Sequence, residues 1–487
     1  MTAAEEEATE HAADETTALL AAPGKPVPGD IEDSENGTTK NDNEDDKPLP
    51  KDQIFFLCLA RLIEPIAFFC IFPFINQMIW ETGEVAETDV GFYSGLIESL
   101  FSLTQMLLMI PWGRAADYWG RKPVLVSSLG GIAIATAIFG LSKTIWQMIL
   151  FRCFAGIFGG TIVTIRTMIS ENSTDKTQAR AFSFFAFTGN LGILLGPIIG
   201  GALSRPATEY PRVFGRFKFF HDYPYALATF ASGAIGAIAT ITSATCIKET
   251  LVRKPESSEA DKKPPMSTLE LLRAPSVPIT LYIYAHVMTL AFSYTAICPV
   301  FLFTPVHLGG FGLTPLQISM FMAITGLSQA LWLLLAFPWL QARMGTAGVM
   351  RLCATAYPFF FVILPCCNLL LRRGLTAVFL AVVIPSMILG SGVAMSFTAI
   401  QLVLNDVSPS PAVLGTLNAV ALTLISGMRA FSPALFASLF AASVRSGVLG
   451  GHLIWILMVA LALGFTIVSR WTPEKEKMAK NTTDSDE

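Results

Sequence analysis

"PWGRAADYWGRKPV", residues 111–124, places four charges (Arg114, Asp117, Arg121 and Lys122) and two glycines (Gly113 and Gly120) between two long apolar runs. Each flanking run is near the length of about 20 residues that a helix needs to cross a bilayer, so the stretch reads as the short connection between two spans. The rest of the chain agrees with that reading. Of 487 residues, 52% are apolar and only 14% are charged, the composition of a polytopic membrane protein.

Further apolar runs place spans near 54–77, 90–110, 122–141, 145–168, 182–203, 222–247, 278–305, 315–338, 348–371, 375–400, 413–437 and 447–468. The expected fold is therefore all-α integral membrane, with twelve transmembrane helices in two pseudo-symmetric six-helix bundles. The charged, Pro-rich stretch "KETLVRKPESSEADKKPP" divides the spans equally. It sets the expected units: a disordered tail over 1–53, a first bundle over 54–247, a linker over 248–277, a second bundle over 278–468 and a tail over 469–487. A weak internal echo supports duplication, because "PWGRAADYWG" (111–120) and "PWLQARMG" (338–345) each follow the second span of a half.

Lys and Arg concentrate on the tails and alternate loops that share a side with the N-terminus, which predicts both termini in the cytoplasm. One loop dissents, since 204–225 carries Arg205, Arg212, Arg216 and Lys218 on the predicted outer side. The sequons at Asn36, Asn172 and Asn481 all fall on the predicted inner side and are expected to stay unglycosylated. The first 50 residues are polar and aperiodic and lack the basic and apolar regions of a secretory signal, so a solvated, uncleaved tail is expected. Within it, "ETTALL" fits an acidic dileucine pattern, with Glu15, Leu19 and Leu20 as contacts for sorting adaptors.

Composition also excludes some functions. A net charge of -4, spread over tails and loops, offers no basic face for nucleic acid. The eight cysteines lie in or beside apolar runs without C-x-x-C spacing and read as packing residues, so no metal site is expected. No cofactor is expected, and scattered histidines without a nucleophile or metal constellation argue against an enzyme.

In the opening stretch, Gly113 and Gly120 are expected to let the backbone turn and approach a neighbour, Arg121 and Lys122 to hold the inner side, and Pro123 to start the next helix. Asp117 has no topological role, so a nearby Arg or a helix N-terminus is expected to hold it; the start of the eleventh span, with Ser410 as cap, is one such terminus. Five ionisable residues, Arg61, Glu64, Glu98, Arg152 and Arg429, fall inside spans. Each costs about 2.5–3.5 kcal/mol at a helix centre on insertion scales, so such groups face a bundle interior or a wet cavity. Arg61 and Glu64, three residues apart, share a helix face and can pair. Either Glu64 or Glu98 could take up a proton, and Arg429 could hold an anionic solute group or neutralise a carboxylate. His286 could carry protons, bind a metal or simply pack. Glu171 and Arg166, near the inner end of the fourth span, could pair with the loop. Gly192, Gly196 and Gly200 permit close helix contact, and Pro197 can kink its helix.

The loop "GRAADYWGRK" resembles the G-x-x-x-D-x-x-G-R-K/R signature of the major facilitator superfamily. "FRCFAGIFGG" (151–160) is similar to its helix 4 pattern, and "GNLGILLGPIIGG" (189–201) to its antiporter-associated helix 5 motif, here Gly192, Gly196, Pro197, Gly200 and Gly201. More narrowly, "ARLIEPIAFFCIFPFI" (60–75), "EYPRVFGRFKFFHDYPYAL" (209–227) and "GMRAFSPALFASLF" (427–440) resemble the zinc-induced facilitator-like branch of the drug:proton antiporters. The second-half loop departs from the signature, and the linker matches no known pattern. The resemblance implies a secondary transporter that exports a small organic molecule (a drug, secondary metabolite or metal-chelating ligand) in exchange for protons. An uncoupled uniporter and a non-transporting receptor or scaffold are the alternatives. The resemblance implies a gate at Arg114, Asp117 and Arg121, in the motif that also holds Gly113, Gly120 and Lys122, and proton coupling at Arg152. Independently of it, burial in the spans makes Glu64 and Glu98 the candidate proton-coupling carboxylates and Arg61, Arg429 and His286 the candidate substrate or counter-ion contacts. A monomer in the lipid bilayer of the vacuole or plasma membrane is expected, with solute and protons as its partners.

Overall fold

Apolar runs without internal polar partners satisfy their backbone only as helices, and among the described residues every regular element is helical. The computed structural model describes residues 49–251, 268–409 and 411–473. The dileucine stretch, Asn36, Asn481, Ser410 and most of the expected linker lie outside the described residues. The long helices are α1 (Lys51–Phe69), α2 (Ile75–Glu81), α3 (Val90–Trp119), α4 (Arg121–Phe139), α5 (Ile145–Ile157), α6 (Thr161–Glu171), α7 (Asp175–Leu203) and α8 (Ala226–Cys246). They continue with α9 (Val277–Phe303), α10 (Pro315–Leu331), α11 (Phe337–Arg372), α12 (Thr376–Gly390), α13 (Met395–Asp406), α14 (Pro411–Ser446) and α15 (Leu453–Val468). Ten helical runs among the described residues are long and apolar enough to cross a membrane.

Several breaks have a visible cause. Pro73 cannot donate to the carbonyl four residues back, and the chain turns over 70–74 between α1 and α2. Gly159 and Gly160 lie in the turn between α5 and α6. The run Pro315–Arg372 passes through a π turn at Trp332–Ala336 and then breaks at Gly345, whose φ of 71° is open to glycine.

The opening stretch is not the loop its charges suggest. α3 continues through Pro111 and Gly113 to Trp119, and Gly120 alone, at φ 110° and ψ 155°, separates it from α4. Charged residues do not oppose a helix that has left the hydrocarbon; a backbone angle that only glycine adopts does end it. Gly113 therefore makes no turn, and a side chain there would meet open space. Gly345 provides the same kind of break at the end of "PWLQARMG", so the sequence echo reappears in the backbone.

Buried apolar side chains form one core drawn from residues 271–468 and two drawn from residues 54–247. The helices also turn large side chains outward, among them Phe55, Trp146, Leu334, Phe359 and Leu389, as a lipid-facing surface requires. Direct joins between the two sets cluster at one end. Gly95 lies so close to α14 that a Cβ would sit 2.4 Å from Ala437 Cβ and 2.5 Å from the Pro433 carbonyl oxygen. Ser99 Oγ accepts from the Ala434 amide at 2.8 Å, Arg445 pairs with Asp89, and Gly201 packs on Pro315 and Ser319. Asp117 lies 22 residues beyond Gly95 on the same helix, about 33 Å away at 1.5 Å per residue. The seam between the two sets is thus closed at the end opposite the 117–121 stretch.

Candidate functional site

The glycines of α7 position the first group of site residues. A Cβ on Gly192 would sit 2.6 Å from Pro65, one on Gly196 would sit 2.9 Å from Phe69, and one on Gly200 would sit 1.8 Å from the Cys70 carbonyl oxygen. One glycine per turn lets α7 lie directly on the backbone of α1. That contact fixes the face of α1 carrying Arg61, Glu64, Phe68 and Phe69.

Glu64 is buried and satisfied by three neighbours. Gln105 of α3 donates to it at 2.7 Å, Thr161 of α6 at 3.5 Å, and Arg61 approaches to 3.9 Å. Gln105 also donates to the Gly159 carbonyl at 3.1 Å, so the break between α5 and α6 is tied to the carboxylate. Arg152 and Arg429 converge on Phe68. Their guanidinium carbons lie 5.3 and 4.4 Å from its ring centre, and Arg152 also stacks 4.5 Å from Phe101. Aromatic faces carry negative charge density, so rings help to hold Arg152 in a dry interior and Arg429 at the edge of it. Glu98 is 1% exposed, one of its carboxylate oxygens has no hydrogen-bond partner, and no ion pair within 4.0 Å joins it to Arg152. A cavity of 280 Å³ is lined by Glu64, Gln105, Arg166, Ser426 and Arg429. It brings an acid and two cations from both sets of helices to one space that water can fill.

A second cavity, of 350 Å³, is lined by Phe69, Asn190 and Pro197 together with residues of α9, α10, α11, α12 and α13. No Asp, Glu, Lys, Arg or His is among its lining residues. Phe68 and Phe69, edge to face at 5.0 Å, connect the two spaces: one ring meets the guanidiniums and the other lines the neutral cavity.

At the opposite end from the closed seam, Arg121 gathers the carboxylates. It pairs with Asp117 one turn back and with Glu171 at the end of α6 at 3.2 Å, and Glu171 accepts from the Thr250 hydroxyl at 2.5 Å. Glu249, just past α8, caps the start of α4 by accepting from the Arg121 amide at 2.9 Å and the Lys122 amide at 3.0 Å. Burial pushes the Glu249 carboxyl up, but the amides of Leu251, Arg121, Lys122 and Thr250 outweigh it and hold the group below its ordinary value.

Sequence reasoning and geometry part in several places. Arg166 does not join the gate stretch; its guanidinium stacks 5.5 Å from Phe185. Arg114 is exposed and stands outside the Asp117–Arg121–Glu171 group, and Lys122 contributes its amide. His286 lies in neither cavity. It bonds the Leu461 carbonyl at 2.9 Å and packs on Phe465, which ties α9 to α15. Asn172, at the end of α6, bonds the Met168 carbonyl at 2.8 Å. Gln105, Glu249, Asn190 and Gln329 were missed, and Glu249 was read as linker although it sits on α4. A lone amide in an apolar run was the available signal for the first and the last two.

Residues 57–433 match the family profile described as Major Facilitator Superfamily. The chain is 46% identical over 427 residues to the efflux pump azaK of Aspergillus niger, covering 88% of this chain and 89% of that protein. It is 26% identical to the protein Zinc Induced Facilitator 1 of Arabidopsis thaliana, covering 85% and 90%. Among solved structures, it matches a bacterial homologue of the human lysosomal transporter Spinster in an inward-facing, occupied conformation. There the TM-score is 0.63 at 17% identity, covering 88% of this chain and 98% of the other, a likeness of fold.

Proposed function

Because the chain belongs to the major facilitator superfamily, we propose that it exports a small organic molecule by proton antiport, its two helical sets rocking about a midplane cavity. It is a secondary transporter and not an enzyme, and the efflux pump from Aspergillus niger supports the outward direction. Twelve spans follow if Lys51–Glu81 is the first and Gly345 divides the eighth from the ninth; both termini are then cytoplasmic and the closed seam faces outward. Glu98 and Glu64 carry the proton, and Arg152 responds to the charge on Glu98. Arg429 and Arg61 balance Glu64, and Asp117 with Arg121 and Glu171 works the inner gate.

The observation carrying this reading is the cluster of buried Glu64, Glu98 and Arg152 with half-buried Arg429, beside a cavity lined from both helical sets. Unlike charges that cost this much to bury persist where protonation and movement change their pairing. The test is uptake of a panel of drug-like, metabolite and chelator solutes into inside-out vesicles with an acidic lumen. Accumulation that a protonophore abolishes is the expected result. Flux that reaches equilibrium and ignores the gradient would establish a uniporter, and absence of flux for every solute would favour a receptor or scaffold.

A further inference from the structure

The neutral cavity specifies a ligand class. α7 and α10 run antiparallel along its rim, with Gly201 against Pro315 and Ser319 and Leu194 beside Gly326. That register brings Asn190 of α7 level with Gln329 of α10, and both amides line the cavity. Neither side chain makes a hydrogen bond to another described residue, so two amide NH2 groups and two amide carbonyls are free to serve the space from opposite sides of the seam. The remaining walls are mostly apolar or sulfur-bearing, and the hydroxyls of Thr295, Thr325 and Ser391 donate to carbonyls of the preceding turn. The Tyr294 hydroxyl meets only sulfur, Met387 at 3.9 Å and Cys298 at 3.5 Å, which leaves it available to a ligand. Phe360 packs tilted against Tyr294, with ring centres 5.1 Å apart, and both rings line the cavity together with Phe69.

We propose that the exported solute is an uncharged, aromatic molecule that binds in the 350 Å³ cavity with its polar groups clamped between Asn190 and Gln329, while the charged cavity behind Phe68 serves ions alone. The inference rests on the carrier reading above. A charged ligand would enter this space with no counter-charge on any wall, and an unpaired ion in an apolar site pays a large desolvation penalty. A flat ring system instead meets aromatic faces and thioethers, and its carbonyl or hydroxyl groups meet the two amides. The volume falls within the range of about 300–1,000 Å³ typical of small-molecule sites. Because the two amides come from different helical sets, a solute that bridges them also helps to hold the seam together.

The test uses purified full-length protein in nanodiscs without any pH gradient, and calorimetric titration with three matched probes: a methoxyflavone, its carboxylate analogue and its trimethylammonium analogue. Saturable binding of the neutral probe, tighter than either charged probe by about a hundredfold, is expected. Asn190→Leu and Gln329→Leu should each weaken it about tenfold, the effect of one lost hydrogen bond with partners left unpaired. Gln329→Glu supplies a gain that misfolding cannot mimic: preference should move toward the trimethylammonium probe. Equal or tighter binding of a charged probe, dependence of binding on Arg429, or no saturable binding of the neutral probe would each overturn the proposal. Since no proton gradient is present, this failure is separate from failure of antiport. Gradient-driven transport of an anion unaffected by Asn190→Leu would sink the ligand class and leave the carrier reading standing, whereas neutral binding without proton-driven flux would do the reverse.

Discussion

Gly120 combines two requirements at one residue. Its backbone lies at φ 110° and ψ 155°, a region essentially confined to glycine, and a Cβ there would sit 2.6 Å from the Glu249 carboxylate that caps α4. Alanine at this position is therefore both strained and in the path of the cap. Gly120→Ala should lower stability by about 1–3 kcal/mol, seen as a drop in Tm in detergent and as faster amide exchange at Arg121 and Lys122. Gly113→Ala is the control: the residue is helical and faces open space, so its Tm should hold or rise slightly, since alanine favours helix by about 1 kcal/mol over glycine. If both variants behaved alike, the cap would not be what distinguishes the two glycines. The sequence presents them as equivalent members of one motif, and only the backbone angle separates them. Arg61 and Glu64 were legible as a pair because spacing on one helix is local information. Gln105 was not, because the carboxylate it serves lies 41 residues away in the chain.

At the scale of helices, α3 meets α14 through glycines that bring its bare backbone against the partner helix. Gly95 presents bare backbone to Pro433 and Ala437, while Gly91 lies close to Val300, Ala437 and Phe440. The nearby Asp89–Arg445 pair has an exposed arginine, and exposed pairs contribute about 0–1 kcal/mol, so it is not what closes the seam. Packing decides this contact. Gly95→Val should force the two helices apart at this end and bias the protein toward a conformation open there, with overpacking costs of about 1–3 kcal/mol. Spin labels at Val90 and Val444 would report a longer mean distance in Gly95→Val than in the parent, while Arg445→Gln should shift it little. An unchanged distance distribution in Gly95→Val would mean that the seam is not set by this contact. Hydropathy located the starts of these helices well, yet it ended α3 near 110 and α14 near 437, nine residues short in each case; at α3 the reason is that charged side chains end a hydrophobic run without ending a helix.

For the whole molecule, periodicity and composition were enough to identify an all-helical membrane protein, and a few motifs were enough to identify its superfamily. The site was legible only in part, for a physical reason. Ionisable residues in hydrocarbon announce themselves by their cost, so Glu64, Glu98, Arg152 and Arg429 stood out, whereas the neutral cavity is made of residues that any membrane helix carries. The arrangement of the two spaces leads to a prediction about coupling. If the charged cluster handles protons while the neutral cavity handles solute, an uncharged mimic of protonated Glu98 should uncouple the two without abolishing movement. Glu98→Gln keeps the shape of a group that is 1% exposed and removes its titration. Proton and solute then lose their shared free energy, which for linked sites is typically about 1–3 kcal/mol, or about 5–150-fold. Solute counterflow between equal pH compartments should persist in this variant, while accumulation against a gradient falls to the level of facilitated equilibration. Asn190→Leu should show the opposite pattern, with weak solute movement of both kinds. A Glu98→Gln protein that still concentrates solute in proportion to the pH gradient would remove the proton from Glu98 and leave Glu64, held by Gln105, Thr161 and Arg61, as the group to test next.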